Sequence, residues 1–379
     1  MHVIHLMANN SSVPYFNWFA EFAAKDPEVK MSFIAMHRER PNMLDDMQAR
    51  GADCYWIPFN DAKRKGDMLR AFPQLLKLFR KVKPDVVHSH LFDDSLPAQL
   101  AARMAGVPVR VITKQDTTYH YYYQPKYVRF DRFNNRNATH IHAVATENRK
   151  FILEKEGAPA NKVHLIRNGF PYDKMTAWTP EDVAELKDRF QLHDRFVVGT
   201  VARLIDWKGH RFIVEAASRL VMTYPDLKFI FAGTGDPQFK AELQQQIDAA
   251  GLQDHVQMLD WIERWQMPSL YRCMNLYLHP ALREPFGFAI SEALMNQVPV
   301  AACPTGSVDL IKHQEEGYIL EENNVDDIVK ALRFFREDVS RCQTIAHAGH
   351  QHALDNLQFS NMWKGHIELY RSALEDAKK

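Results

Sequence analysis

Short runs of β-branched and aromatic residues alternate with amphipathic segments along almost the whole chain, in two successive series. This alternation constrains the fold most. Strands separated by crossover helices pair in parallel, and a parallel sheet is covered on both faces. In the first series, residues 3–7, 29–35, 85–90 and 109–113 read as strands, and 15–24, 43–50, 69–81 and 95–105 as helices. Leu69, Phe72, Leu75, Leu76 and Phe79 share one face of the third helix, and Pro84 stops it. The second series opens on Thr179 and Pro180, an N-cap followed by a first-position proline. Strands at 196–201, 227–232, 256–259, 275–280 and 298–302 then alternate with helices at 210–223, 239–250, 267–273, 291–295 and 325–336. The pattern predicts an α/β protein of two doubly wound, Rossmann-like domains, residues 1–170 and 171–355, joined near 168–178. Ligand is expected in the cleft facing the strands' carboxyl ends.

Length agrees, since 379 residues exceed one typical domain. No apolar run reaches the length of a membrane span, and the first residues lack the basic start of a signal peptide. Cys54, Cys273, Cys303 and Cys342 form no Cys-x-x-Cys pair and read as reduced thiols, so a cytoplasmic setting is expected. The net charge of zero hides a division: residues 1–168 hold 25 Lys and Arg against 17 Asp and Glu, a net of +8 that the remainder cancels. A basic first half suits an anionic partner or surface, and segregation along a domain boundary would produce the same split.

Chemistry concentrates where the strands of the second series end. Arg283-Glu284-Pro285-Phe286-Gly287-Phe288-Ala289-Ile290-Ser291-Glu292 places two carboxylates eight positions apart around a tight turn before a helix. Acids accept from sugar hydroxyls, and unpaired amides at a helix start donate to anionic oxygens, so a phosphorylated polyol fits. Arg203 and Lys208 leave the 196–201 strand, where a guanidinium and an ammonium can bind a diphosphate. Gly233 and Gly235 follow the next strand and allow close backbone approach. Asp260 and Trp261 follow the third and could hold a base, and Pro304-Thr305-Gly306-Ser307 follows the last. Neither Gly-x-Gly-x-x-Gly nor a P-loop occurs.

In order and spacing these pieces resemble the donor domain of the GT-B glycosyltransferases, specifically glycosyltransferase family 4 (glycosyl transferases group 1). Ile166-Arg167-Asn168-Gly169, Ala202-Arg203-Leu204, Lys208-Gly209-His210, Ala232-Gly233-Thr234-Gly235, Glu284-Pro285-Phe286-Gly287 and Glu316-Gly317-Tyr318 carry the likeness. Asp85-Val86-Val87-His88-Ser89-His90 extends it loosely into the first half, and residues 356–379 resemble the last helix, which in this fold crosses back onto the first domain. The resemblance implies an acceptor-binding first domain, a donor-binding second domain, and transfer from a nucleoside-diphosphate sugar with retention of configuration. It implies that Arg203 and Lys208 hold the diphosphate. Glu284 and the amides of Phe286, Gly287 and Phe288 would meet the sugar, Glu292 the ribose, and Ile290 would line the donor site. No Asp-x-Asp pair occurs, so no metal and no other cofactor is expected on the diphosphate.

Two departures stand out. Relatives carry a glycine pair after the first strand, where this chain has Asn9 and Asn10, and a Thr-x-His motif where Gln115 replaces the histidine. Asparagine tolerates positive φ, and glutamine can bond a hydroxyl without becoming cationic. Asn10 and Gln115 are therefore donor-side candidates, with His90, Asp116 and His120 on the acceptor side. The aromatic and basic stretch 119–129 suits an anionic membrane surface, a stacked sugar or a half-buried helix; nucleic acid is not expected. The expected acceptor is a saccharide or a lipid-linked saccharide. Rival readings are a GT-B epimerase or small-acceptor transferase, and a nucleotide-sugar binder without turnover.

Overall fold

The computed structural model describes residues 1–379 apart from Ser12, Asp116 and Thr117, and it divides into two compact units. Unit 1 holds Met1–Gly169 and Phe359–Lys379, and unit 2 holds Phe170–Gln358.

Unit 1 is built on seven parallel strands: β1 (His2–Ala8), β2 (Lys30–His37), β3 (Asp53–Pro58), β4 (Val86–Ser89), β5 (Val109–Lys114), β6 (His140–Ala143) and β7 (Val163–Leu165). Their order is β3-β2-β1-β4-β5-β6-β7. The register runs His2 to Lys30 between β1 and β2 and Val3 to Val86 between β1 and β4. Ile4, Leu6, Ile34, Val87 and Ile57 pack on Ala71, Leu75 and Phe79 of the helix Arg64–Val82. That helix starts five residues before the predicted one and carries Pro73 inside it. The helix Phe359–Asp376 belongs to this unit: Phe359 meets Trp18, Phe19 and Phe22 with centroids 4.9–5.6 Å apart.

Unit 2 has six parallel strands: β8 (Phe196–Val201), β9 (Leu227–Ala232), β10 (Val256–Leu259), β11 (Leu276–His279), β12 (Val300–Ala302) and β13 (Tyr318–Ile319), in the order β10-β9-β8-β11-β12-β13. Local chemistry sets its helix starts. Thr179 accepts from the Asp182 amide, and Asp236 from those of Gln238 and Phe239, each with proline at the first helical position.

Both sheets reverse their winding beside their first strand, between β1 and β4 and between β8 and β11. At such a switch point successive crossover helices go to opposite faces, which leaves a crevice at the strands' carboxyl ends. Asn9 and His90 in unit 1, and Arg203 and Glu284 in unit 2, follow the strands that flank these points.

Candidate active site

In unit 2 the switch point brings Lys208 and Glu284 together. Lys208 ends a 3-10 turn after β8, and Glu284 lies five residues beyond the end of β11. Lys208 Nζ donates to Glu284 Oε2 at 2.7 Å, with both side chains 13% exposed. His279, the last residue of β11, lies 3.0 Å from the same oxygen through Nε2, and the Gly287 amide donates to Oε1 at 3.3 Å. Burial alone would raise the Glu284 carboxyl, but the His279 hydrogen bond and then the Lys208 charge outweigh it and hold the group at about 2. Glu284 is therefore an anion throughout the neutral range, an acceptor of hydrogen bonds and not a proton donor. His279 was not among the residues singled out in sequence. Its one signal was a histidine closing an otherwise apolar strand.

Gly287, at φ 92°, caps the helix Phe288–Met295, whose first amides have no acceptor within the helix. Phe286 is buried, Phe288 is 41% exposed, and Ile290 is fully buried. Gly306, at φ 79°, is pressed onto Glu284: a Cβ there would lie 2.7 Å from its carbonyl oxygen. Any side chain at 306 would push on the carboxylate's own backbone. Arg203 is exposed and makes no ion pair among the described residues, so its guanidinium is available to an anion.

Other candidates have partners of their own. Glu292 is buried, with Oε1 2.7 Å from Arg264 and Oε2 accepting from Tyr271 at 3.0 Å. Asp260 is exposed and paired with Lys240, and the Trp261 indole, 64% exposed, donates to Glu263. Gly233 and Gly235 press on the protein's own backbone. A Cβ at Gly233 would come 2.2 Å from the Ala202 carbonyl oxygen, and at Gly235 2.1 Å from that of Leu204. The close approach is to the protein's own backbone, where Leu204 and Gly235 form a β-bridge.

In unit 1, His90, Gln115 and His120 line one cavity of about 520 Å³ with Arg64, Lys114 and Tyr127. Asn9 lines it, while Asn10 does not. Asn9 adopts φ 60°, the conformation a glycine would supply, and its Nδ2 donates to Asp93 at 2.6 Å. Asn10 donates back to the Ala8 carbonyl at 3.2 Å. Lys114 is buried between Asp131 and Glu156, and His120 Nδ1 lies 2.8 Å from Asp131. Asp94 holds the switch point, accepting from the amides of Ala8, His90 and Leu91. Asp116 lies outside the described residues.

Residues 17–169 match the glycosyl transferase 4-like domain, and residues 182–352 match the glycosyl transferases group 1 domain. The chain is 23% identical to the capsular polysaccharide biosynthesis glycosyltransferase CapM of Staphylococcus aureus, over 99% of this chain and 98% of that one. It is 25% identical to the UDP-Gal:alpha-D-GlcNAc-diphosphoundecaprenol alpha-1,3-galactosyltransferase of Escherichia coli, over 70% and 69%. The structure of Anabaena HepE, solved with UDP and with UDP-glucose, matches at a TM-score of 0.83 and 19% identity, covering 98% of this chain and 100% of that one. With one matched domain on each unit and the fold shared along its length, this chain belongs to the GT-B glycosyltransferases of the glycosyl transferases group 1 family and is a glycosyltransferase.

Proposed function

We propose that the enzyme takes a sugar from a nucleoside-diphosphate sugar, with retention of configuration and no metal on the diphosphate. The acceptor is a hydroxyl of a saccharide or lipid-linked saccharide, in the synthesis of a cell-surface polysaccharide or similar glycan. The observation that carries this reading is the buried Lys208–Glu284–His279 cluster beside the helix start at Gly287. Its cation can pass from the carboxylate to an arriving diphosphate, and its anion is fixed to accept sugar hydroxyls. Exposed Arg203 supplies a second cation at the same strand end. UDP-sugars are the first donors to test, because the HepE structures hold UDP and UDP-glucose. A lipid-linked acceptor is suggested by the name of the Escherichia coli relative.

In the transfer, the bond from the anomeric carbon to the diphosphate oxygen breaks as the acceptor oxygen bonds to the same face of that carbon. The acceptor proton goes to the departing phosphate oxygen. Lys208, Arg203 and the amides at the helix start stabilise the charge that develops on the diphosphate. Glu284 orients the sugar, and Glu292, once released from Arg264, receives the ribose hydroxyls.

Lys208→Ala should lower turnover of the accepted donor by on the order of 10²-fold or more, while omission of divalent ions from the assay leaves the wild-type rate within about twofold. A fully active variant, or a strict need for added metal, would overturn the assignment. Calorimetry separates the two glutamates: Glu292→Ala should weaken the free nucleoside diphosphate, and Glu284→Ala should weaken the intact donor more than the diphosphate. The reverse pattern exchanges their roles.

A further inference from the structure

Unit 1 buries more histidine than the transfer reaction uses. His5, His88, His90, His142 and His366 come from β1, β4 and its exit, β6 and the helix Phe359–Asp376, and each is at most 1% exposed. Their partners decide which ring nitrogens carry protons. His142 Nε2 lies 2.6 Å from the Ile166 carbonyl oxygen, and His366 Nδ1 lies 2.8 Å from that of Met362. A carbonyl only accepts, so both nitrogens are N–H donors. A neutral imidazole holds one proton, which leaves His142 Nδ1 and His366 Nε2 bare.

These two bare nitrogens face each other at 3.3 Å. The Thr113 hydroxyl can donate to the His142 Nδ1 lone pair, and the His366 Nε2 lone pair is left facing the same point. The separation is that of two nitrogens on one tetrahedral ion: bonds of 2.0–2.1 Å at the tetrahedral angle put them about 3.3–3.4 Å apart. Each ring also gives its other N–H to a backbone carbonyl, the outer contact that metal-binding histidines make. His88 Nε2 belongs to the same group, whose ligand atoms lie within 4.8 Å of one another. The Thr113 hydroxyl sits between, 2.6 Å from His88 Nε2 and 2.9 Å from His142 Nδ1.

We propose that unit 1 binds one divalent ion of the zinc or cobalt type through His142 Nδ1 and His366 Nε2, with His88 Nε2 or the Thr113 hydroxyl as third ligand. A donor set led by two imidazoles suits these borderline ions and not magnesium or calcium. The ion ties the helix Phe359–Asp376 to strand β6 and has no part in the donor chemistry of unit 2. No carboxylate belongs to the ligand group, so the ion's charge stays uncompensated and binding requires every ring to be neutral.

The test uses tag-free full-length protein, stripped with chelator and dialysed, then titrated with Zn²⁺ or Co²⁺. The expected result is one equivalent bound by elemental analysis, a rise in unfolding temperature, and the visible absorption of tetrahedral Co²⁺; Mg²⁺ should do none of these. His142→Gln and His366→Gln should lose the equivalent. His350→Gln should keep it, since that buried histidine lies in unit 2 against the Leu294 carbonyl. Absence of uptake by the stripped wild type overturns the proposal whatever the variants do, and so does uptake that persists in both ligand variants.

Discussion

Glu284 shows how one side chain gathers its role from three parts of unit 2: a lysine after β8, a histidine ending β11 and the amide of Gly287. Its carboxyl sits at about 2, below the ordinary 4.5. A group whose pKa falls on folding stabilises fully above its unfolded value and loses that contribution as pH drops through the folded one. Stability from Glu284 should therefore be complete above about pH 4.5 and fade between there and pH 2. Urea unfolding of Glu284→Gln across that range should show a flatter acid limb than wild type; equal limbs would mean the anion is not held. The carboxylate itself was visible in sequence, because the Glu-Pro-Phe-Gly turn between a strand and a helix is a local pattern. His279 was not, since its contact with Glu284 exists only once the loop 280–284 turns back. His88 and His90 were half legible: alternation puts both on one face of β4 and its exit, and their rings stack at 4.3 Å. The rings His88 meets, His142 and His366, are too distant in sequence for any spacing rule to connect.

Elements with strong periodicity or explicit caps were readable, and short or polar ones were not. β9, all six residues buried, and the Asp236-capped helix after it follow from apolar runs and cap chemistry. β3 was missed because Asp53-Cys54-Tyr55-Trp56-Ile57-Pro58 is exposed at both ends and fully buries only Ile57. β6 carries His140 and His142 where apolar residues are expected, and β7 and β13 are three and two residues long, below what a period of two can register. The glycines after β9 were legible as a close approach, and the backbone of Ala202 and Leu204 lies against them. Gly235 faces the Leu204 backbone at a distance no Cβ tolerates. Gly235→Ala should destabilise unit 2 by about 1–3 kcal/mol, read as a lower urea midpoint for that unit's transition. An unchanged midpoint would show that the bridge between Leu204 and Gly235 opens freely.

At the scale of the molecule, the charge division and the exposed rings of unit 1 lead to a surface prediction. Residues 1–168 carry +8, and Tyr119, Tyr121, Tyr122, Tyr123 and Phe133 are each 39–55% exposed. No helix among the described residues is long and apolar enough to cross a membrane. Each basic side chain near an anionic leaflet contributes roughly 1 kcal/mol, screened by salt. Sedimentation with anionic vesicles should capture the protein, fall with salt, and weaken when Lys126 and Arg129 become glutamate. Capture by neutral vesicles alone would refute the electrostatic reading. The discontinuity of unit 1 has a further consequence, on the ribosome. Its first 169 residues emerge ahead of all 189 residues of Phe170–Gln358, and only then does the helix Phe359–Asp376 appear. At 5–20 residues per second the wait is roughly 10–40 s. Throughout it, Trp18, Phe19 and Phe22 lack the ring of Phe359, and His142 lacks His366. A nascent half-molecule with an open aromatic face is a natural client for a chaperone, and it closes only when translation has passed the other domain entirely.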